Sequence, residues 1–114
     1  MSVKLTTRQV GDVTVVDAVG RITLGDGASL FRDTIRDLAA KGQKKLLLNL
    51  AEVSYIDSSG IGEMVSGFTT VSNQGGTVKL LNLTKRVKDL LQITKLYTVF
   101  EVFEDEAAAV RSFN

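Results

Sequence analysis

The 114-residue chain contains no cysteine, no histidine, no proline and no tryptophan. Without histidine or cysteine, neither a Ser-His-Asp triad nor a Cys-His pair can be assembled within the chain, and zinc sites of the usual Cys and His types are excluded. Disulfides are impossible, which is compatible with a reducing cytosol. The lack of proline fits short, regular connections. Because aromatics make up only 6% of the residues, Leu, Val, Ile and Ala must supply most of the core, as is common in α/β domains. An excess of one charge is also missing: 14 basic against 13 acidic residues leave a formal net charge of +1, too small a field to draw the chain onto nucleic acid. The basic clusters Lys44-Lys45 and Lys85-Arg86-Lys88 stand beside predicted element ends, where lysines cap helices or solvate edges, so no direct nucleic-acid partner is expected. No apolar run approaches a membrane span, and the start MSVKLTTRQ lacks the apolar segment of a signal peptide. The expectation is a cytoplasmic protein with no membrane partner.

What is present points to one domain over residues 1–114, with 44% hydrophobic content and one core. Val3 to Val10 and Asp12 to Val19 are β-rich runs on either side of a Gly11-Asp12 turn signal, which predicts a hairpin. GRITLGDG, residues 20–27, reads as a loop with strand-like Ile22 to Leu24 inside it and Asp26 as N-cap of the next helix. Ala28, Phe31, Ile35, Leu38 and Ala39 then recur at helical spacing, and Gly42 ends that helix. Lys45 to Leu50 suits a strand covered on both faces, followed by the connection AEVSYI. A second helix points Ile61, Met64, Val65, Phe68 and Val71 inward and stops at Asn73-Gln74-Gly75-Gly76. Val78 to Leu83 is another buried strand. A third helix, capped by Thr84, carries Val87, Leu90, Leu91 and Thr94 inward. Val99 to Phe103 reads as a final strand, and a last helix begins at Glu104-Asp105-Glu106 and packs Ala107, Val110 and Phe113. Alternating helices and strands imply a sheet with helices packed over it. The tetrapeptide LLNL occurs at residues 47–50 and 80–83, but nothing around it repeats, so two neighbouring buried strands explain it better than a solenoid.

One stretch resists this plain reading. In YIDSSGIGEMV an apolar run breaks into Asp57, Ser58, Ser59, Gly60, Ile61 and Gly62 where a helix starts, although Gly costs about 1 kcal/mol relative to Ala inside a helix. The phosphate-binding motifs fail here: a P-loop needs Lys and Ser or Thr after its second glycine, where Glu63 and Met64 stand, and the dinucleotide fingerprint needs a third glycine where Val65 stands. Asp57 as a phospho-acceptor or metal carboxylate lacks a neighbouring acidic pair and an evident Mg²⁺ constellation, so neither a metal nor a cofactor is expected. Capping by Asp57, Ser58 or Ser59 explains one polar residue, yet neither the second serine nor the glycines. Glycines at 60 and 62 strip side chains from around the hydroxyls, and Glu63, Ser66, Gly67 and Thr70 continue outward as a small, mostly polar docking face.

LLLNLAEVSYIDSSGIGEMV resembles the signature of the STAS family, the sulfate transporter and anti-sigma factor antagonist domain, and LLNLTKRVKDLLQITKL falls in the family's order over nearly the whole chain. The resemblance implies an α/β STAS fold, a mixed sheet opened by an N-terminal hairpin and covered by about four helices. It implies a binding module without catalysis of its own: an anti-sigma factor antagonist whose serine after the Asp, here Ser58, is phosphorylated by the anti-sigma factor, a serine kinase, and reset by a protein phosphatase. Asp57, Ser59, Gly60, Ile61 and Gly62 would shape the recognition surface, with Ser59 as the helix cap. The family's regulators usually carry an Asp that contributes to kinase docking, in a Gly-x-Leu-Asp pattern after the second strand; GRIT puts Thr23 there, so Thr23 is counted with the expected partner-binding residues. The alternative within the family is a non-switching scaffold or accessory subunit of a signalling or transport assembly.

Overall fold

Two β-rich runs and a two-residue turn open the chain as a hairpin. In the computed structural model, which describes residues 3–114, β1 (Val3–Val10) and β2 (Val13–Ile22) pair antiparallel from Val3 opposite Gly20 to Val10 opposite Val13. The first two residues of the expected 1–114 unit lie outside the described residues. β3 (Lys45–Ile56), β4 (Thr77–Leu81) and β5 (Val102–Phe103) add in parallel, giving a mixed five-stranded sheet in the order β1-β2-β3-β4-β5.

Two strands are longer than their sequence pattern suggests. AEVSYI is the second half of β3 rather than a connection, and β2 continues to Ile22 rather than ending at Val19. The reason lies in their pairing, which slips between Asp17 and Val19 and again between Gly20 and Arg21. Such irregularities interrupt the two-residue alternation by which a strand is recognised, so Val53 and Ile56 are buried three residues apart, a spacing that mimics a helix. The last strand is shorter than expected. Asn82 turns left-handed at φ 57°, so β4 offers a partner only to Val102 and Phe103, while Leu96–Thr98 forms a 3₁₀ turn.

The strand alternation divides the sheet into two faces. Leu46, Leu48 and Leu50 of β3 point to the face that carries helices α1 (Asp26–Ala40), α2 (Ser58–Asn73) and α3 (Lys85–Ile93), where they meet Phe31, Ile35, Met64, Val71, Val87 and Leu91. Leu47 points to the opposite face and packs with Val13, Val15, Leu81 and Ala109, the last from helix α4 (Glu106–Arg111). The first LLNL copy lies within β3, but only Leu80 and Leu81 of the second lie in β4, which ends before Asn82 and Leu83 instead of running to Leu83; the copies are one residue out of step, Leu47 facing Lys79 and Leu48 facing Leu80.

Helix ends follow local rules with a few corrections. Gly42 and Gly75 adopt φ of 81° and 80° and close α1 and α2 by the same device. In each, the glycine N–H bonds back to the carbonyl of Ala39 or Ser72, and the next N–H reaches Leu38 or Val71. Thr84 caps α3, accepting from the Val87 N–H at 3.3 Å. Asp26 does not cap α1: Gly25 occupies that position without a side-chain bond, and Asp26 is the first helical residue. Asp105 caps α4, accepting from the Ala108 N–H. Thr94 and Ala107, expected inward, are exposed, and Ala109 is the residue of α4 that is fully buried.

Candidate functional site

One residue separates β3 from α2, and it carries two jobs. Asp57 holds an extended backbone, φ −103° and ψ −174°, and is the N-cap of α2: its Oδ1 accepts from the Gly60 N–H at 2.9 Å. Its Oδ2 accepts from the Leu24 N–H, also at 2.9 Å, in the loop between β2 and α1. One carboxylate therefore ties two chain crossings together, and it places Thr23, whose carbonyl accepts from the Ala28 N–H at 2.8 Å, in the same loop as its anchor point. Donation from Leu24 first and Gly60 second holds the Asp57 carboxyl below the usual carboxylate range, against a smaller opposing effect of burial.

The two serines are not equivalent. Ser58 and Ser59 are the first two residues of α2; Ser58 is exposed and Ser59 half-buried. Ser59 is not the helix cap, because the capping position is the non-helical residue before the first turn and Asp57 fills it. The Ser58 hydroxyl is thereby released from a structural duty. No histidine exists to activate it, and the neighbouring carboxylate is engaged by two backbone donors. The tip offers an exposed primary alcohol with no free side-chain base of its own beside it.

The glycines divide as well. A Cβ on Gly62 would meet nothing within 4 Å, so Gly62 does leave open space beside Ser58. Gly60 faces the other way: a Cβ there would lie 2.1 Å from the Ile22 carbonyl oxygen and 2.7 Å from Ile56 Cγ1. Its missing side chain lets the first turn of α2 sit on the end of β2, and it clears no external surface. Ile61 is 7% exposed and belongs to the core, so its side chain offers a partner little area. Gly67, expected on the outward face, is buried against Ile35 of α1, with a Cβ position 2.9 Å from Ile35 Cγ2. The outward face of α2 near the tip is therefore Glu63, whose carboxylate stands 3.9 Å from Arg32, with Ser66 and Thr70 beyond it, all half-buried.

Beside Ser58 lies a feature absent from the sequence reading. Tyr55, Asp57 and Ser58 form one wall of a groove of about 560 Å³, and Lys85, Arg86 and Ile93 of α3 form much of the other. The Arg86 guanidinium lies over the Tyr55 ring, 5.2 Å from its centroid, and Lys85 pairs with Asp89 at 3.0 Å. Ile93 is 78% exposed. The only sequence signal was the Lys85-Arg86-Lys88 cluster itself, which reads as an ordinary solvated helix start. Among the described residues, no cluster of three or more Asp or Glu side chains is arranged to hold a metal ion, and no helix is long and apolar enough to cross a membrane.

Comparison with known proteins places these features in a family. The model of the STAS domain matches residues 4–109. The anti-sigma-B factor antagonist of Bacillus subtilis (strain 168) is 33% identical over 102 residues, a match covering 90% of this chain and 92% of the relative. Two solved structures share the fold. An anti-sigma factor antagonist from Mycobacterium paratuberculosis superposes with a TM-score of 0.86 at 17% identity, over 98% of this chain and 94% of the other. The phosphorylated form of the Bacillus cell fate determinant SpoIIAA superposes at 0.77 and 18% identity, over 97% of this chain and all of the other, 100%.

Proposed function

The chain belongs to the STAS domain family, and from that premise we propose that it acts as an anti-sigma factor antagonist switched by phosphorylation of Ser58. The observation that carries this reading is the tip of α2: an exposed serine hydroxyl at the first helical position, relieved of capping by Asp57 and bordered by the open space at Gly62. Unphosphorylated, the tip and the Thr23–Gly25 loop that Asp57 anchors bind an anti-sigma factor kinase and release its sigma factor. In the transfer step the bond from Ser58 Oγ to the γ-phosphorus of ATP forms as the bond to the bridging oxygen breaks. ADP leaves, and the hydroxyl proton passes to a base of the kinase. A protein phosphatase hydrolyses the ester and resets the switch. The chain serves as binding module and substrate, not as the enzyme, and this soluble exchange is assigned to the cytoplasm.

The energetics favour a change of partner over a change of fold. A phosphate adds about −1.5 to −2 charges at pH 7. At the start of a helix this charge is stabilised by the helix dipole, so the domain stays folded. On the outside the phosphate stands next to the ionised Asp57 and occupies the space that Gly62 leaves open. Like-charge opposition across an interface costs several kcal/mol, and each 1.4 kcal/mol is tenfold in affinity.

The test pairs the protein with the anti-sigma kinase of its own cell. Ser58→Ala is expected to bind like wild type and to accept no phosphate from ATP, located by peptide mass. Ser58→Asp is expected to bind at least about tenfold more weakly while unfolding at an unchanged denaturant concentration. If both variants bind as wild type does and phosphate appears elsewhere or nowhere, the chain is a scaffold and the switch is wrong.

A further inference from the structure

We propose that Arg86 is the receptor, within the same chain, for a phosphate on Ser58: the guanidinium leaves the Tyr55 ring and closes across the groove onto the phosphoserine. The inference rests on Ser58 being the modified residue and extends that reading to what the modified state looks like.

Three observations carry it. Ser58 and Arg86 line the same groove of about 560 Å³, one at the start of α2 and the other at the start of α3. The arginine is available. Its guanidinium lies on the face of Tyr55 at 5.2 Å, and among the described residues no carboxylate lies within ion-pairing distance of it. An exposed cation on an aromatic face is held more weakly than an arginine in a bidentate, charge-assisted bond to a phosphate, so the exchange of partners runs toward the phosphate. Among the other charges that the described residues bring to the groove, Lys85 is the one rival cation, and it is already paired within its own helix. Asp57 spends both carboxylate oxygens on backbone N–H groups, Lys85 and Asp89 pair with each other, and α1 contributes no side chain to the lining. Arg86 is exposed, so its movement requires no repacking of the core.

Closure has a consequence for partner choice. Arg86 offsets about one of the phosphate's −1.5 to −2 charges, leaving the tip negative, and the groove beside Ser58, with Tyr55 and the exposed Ile93 on its walls, is bridged from within. A partner that lays a side chain into this groove meets a bridged α2–α3 edge instead of an open cleft.

The experiment builds phosphoserine into position 58 during synthesis of the full chain, so no kinase is needed, and follows its second ionisation by phosphorus NMR. In the otherwise unmodified protein the phosphate is expected to titrate below its value in the urea-unfolded chain, which is about 6. Arg86→Ala is expected to raise that titration by about half a unit, roughly a threefold change in proton affinity, and Arg86→Lys to recover part of the difference. Lys85→Ala leaves it in place. A titration in Arg86→Ala that coincides with wild type, or a shift in Lys85→Ala as large as that in Arg86→Ala, overturns the proposal. Because the phosphate is built in, that failure says nothing against transfer by a kinase. Equally, a kinase that transfers no phosphate leaves this titration readable.

Discussion

Gly60 and Gly62 stand two residues apart in the same helix, yet substitution by alanine is expected to act with opposite sign. Alanine gains about 1 kcal/mol of helix propensity over glycine at either position. At Gly62 nothing lies within 4 Å of the new methyl group, so Gly62→Ala keeps most of that gain, about 0.5–1 kcal/mol. At Gly60 the methyl group meets the Ile22 carbonyl oxygen at 2.1 Å, where ordinary contact begins at 3.4 Å. The obstacle is backbone at the end of β2, so relief requires α2 to move by about 1 Å, carrying with it the Ile22–Asp57 hydrogen bond at 3.4 Å and the packing of Ile56. Overpacking costs about 1–3 kcal/mol and sits at the upper end when nothing flexible can yield. Set against the propensity gain, Gly60→Ala loses about 2 kcal/mol. Urea unfolding followed by far-ultraviolet circular dichroism reads both variants, since the chain has no tryptophan to report by fluorescence. With a slope of about 2 kcal/mol per molar urea, the midpoint falls by about 1 M for Gly60→Ala and rises by a few tenths for Gly62→Ala. A midpoint for Gly60→Ala equal to or above wild type refutes the assignment of Gly60 to the helix–strand contact.

Four further substitutions, at three residues, probe the framework of the fold. Asp57→Ala removes a helix cap and the anchor of the 23–25 loop together, and is expected to cost about 1–2 kcal/mol in the same urea titration. The folded Asp57 carboxyl lies below its unfolded value, so its contribution is complete above about pH 4 and fades as pH falls through the folded value; acid titration of Asp57→Asn loses that component of the pH dependence. Lys79 is 6% exposed, donates to both the carbonyl and the hydroxyl of Ser112, and lies 4.7 Å from the Phe113 ring; Lys79→Ala is expected to cost about 2–3 kcal/mol and to raise amide exchange across α4. Arg8 bridges Asp17 at 2.7 Å and Glu106 at 2.5 Å across an exposed surface, so Arg8→Ala is expected to cost less than about 1 kcal/mol, with the difference from wild type shrinking in 1 M salt.

Much of the fold is legible in the chain because it depends on neighbours in sequence. The stripe Ala28, Phe31, Ile35, Leu38 and Ala39 is buried along α1 as its spacing requires, and the glycines at 42 and 75 close their helices because a left-handed residue is needed there whatever packs outside. The run DSSGIG pointed to the family, whose domain model matches residues 4–109.

Where two distant segments meet, the sequence is silent. The second half of β3 hides behind two slips in its pairing with β2, and those slips exist only once the strands lie side by side. That Asp57, besides capping its own helix through one oxygen, anchors the Leu24 loop through the other is decided by where that remote loop arrives. Gly60 and Gly62 look alike in a string of letters, and the Ile22 carbonyl makes one a packing contact and leaves the other open. Arg86 comes to share a groove with Ser58 only through the packing of α3 against β3. A residue's periodicity and its capping chemistry are set by bonds within one turn or one strand, and these the sequence determines. Close approach is set by the backbone of a remote segment, and that the tertiary structure alone decides.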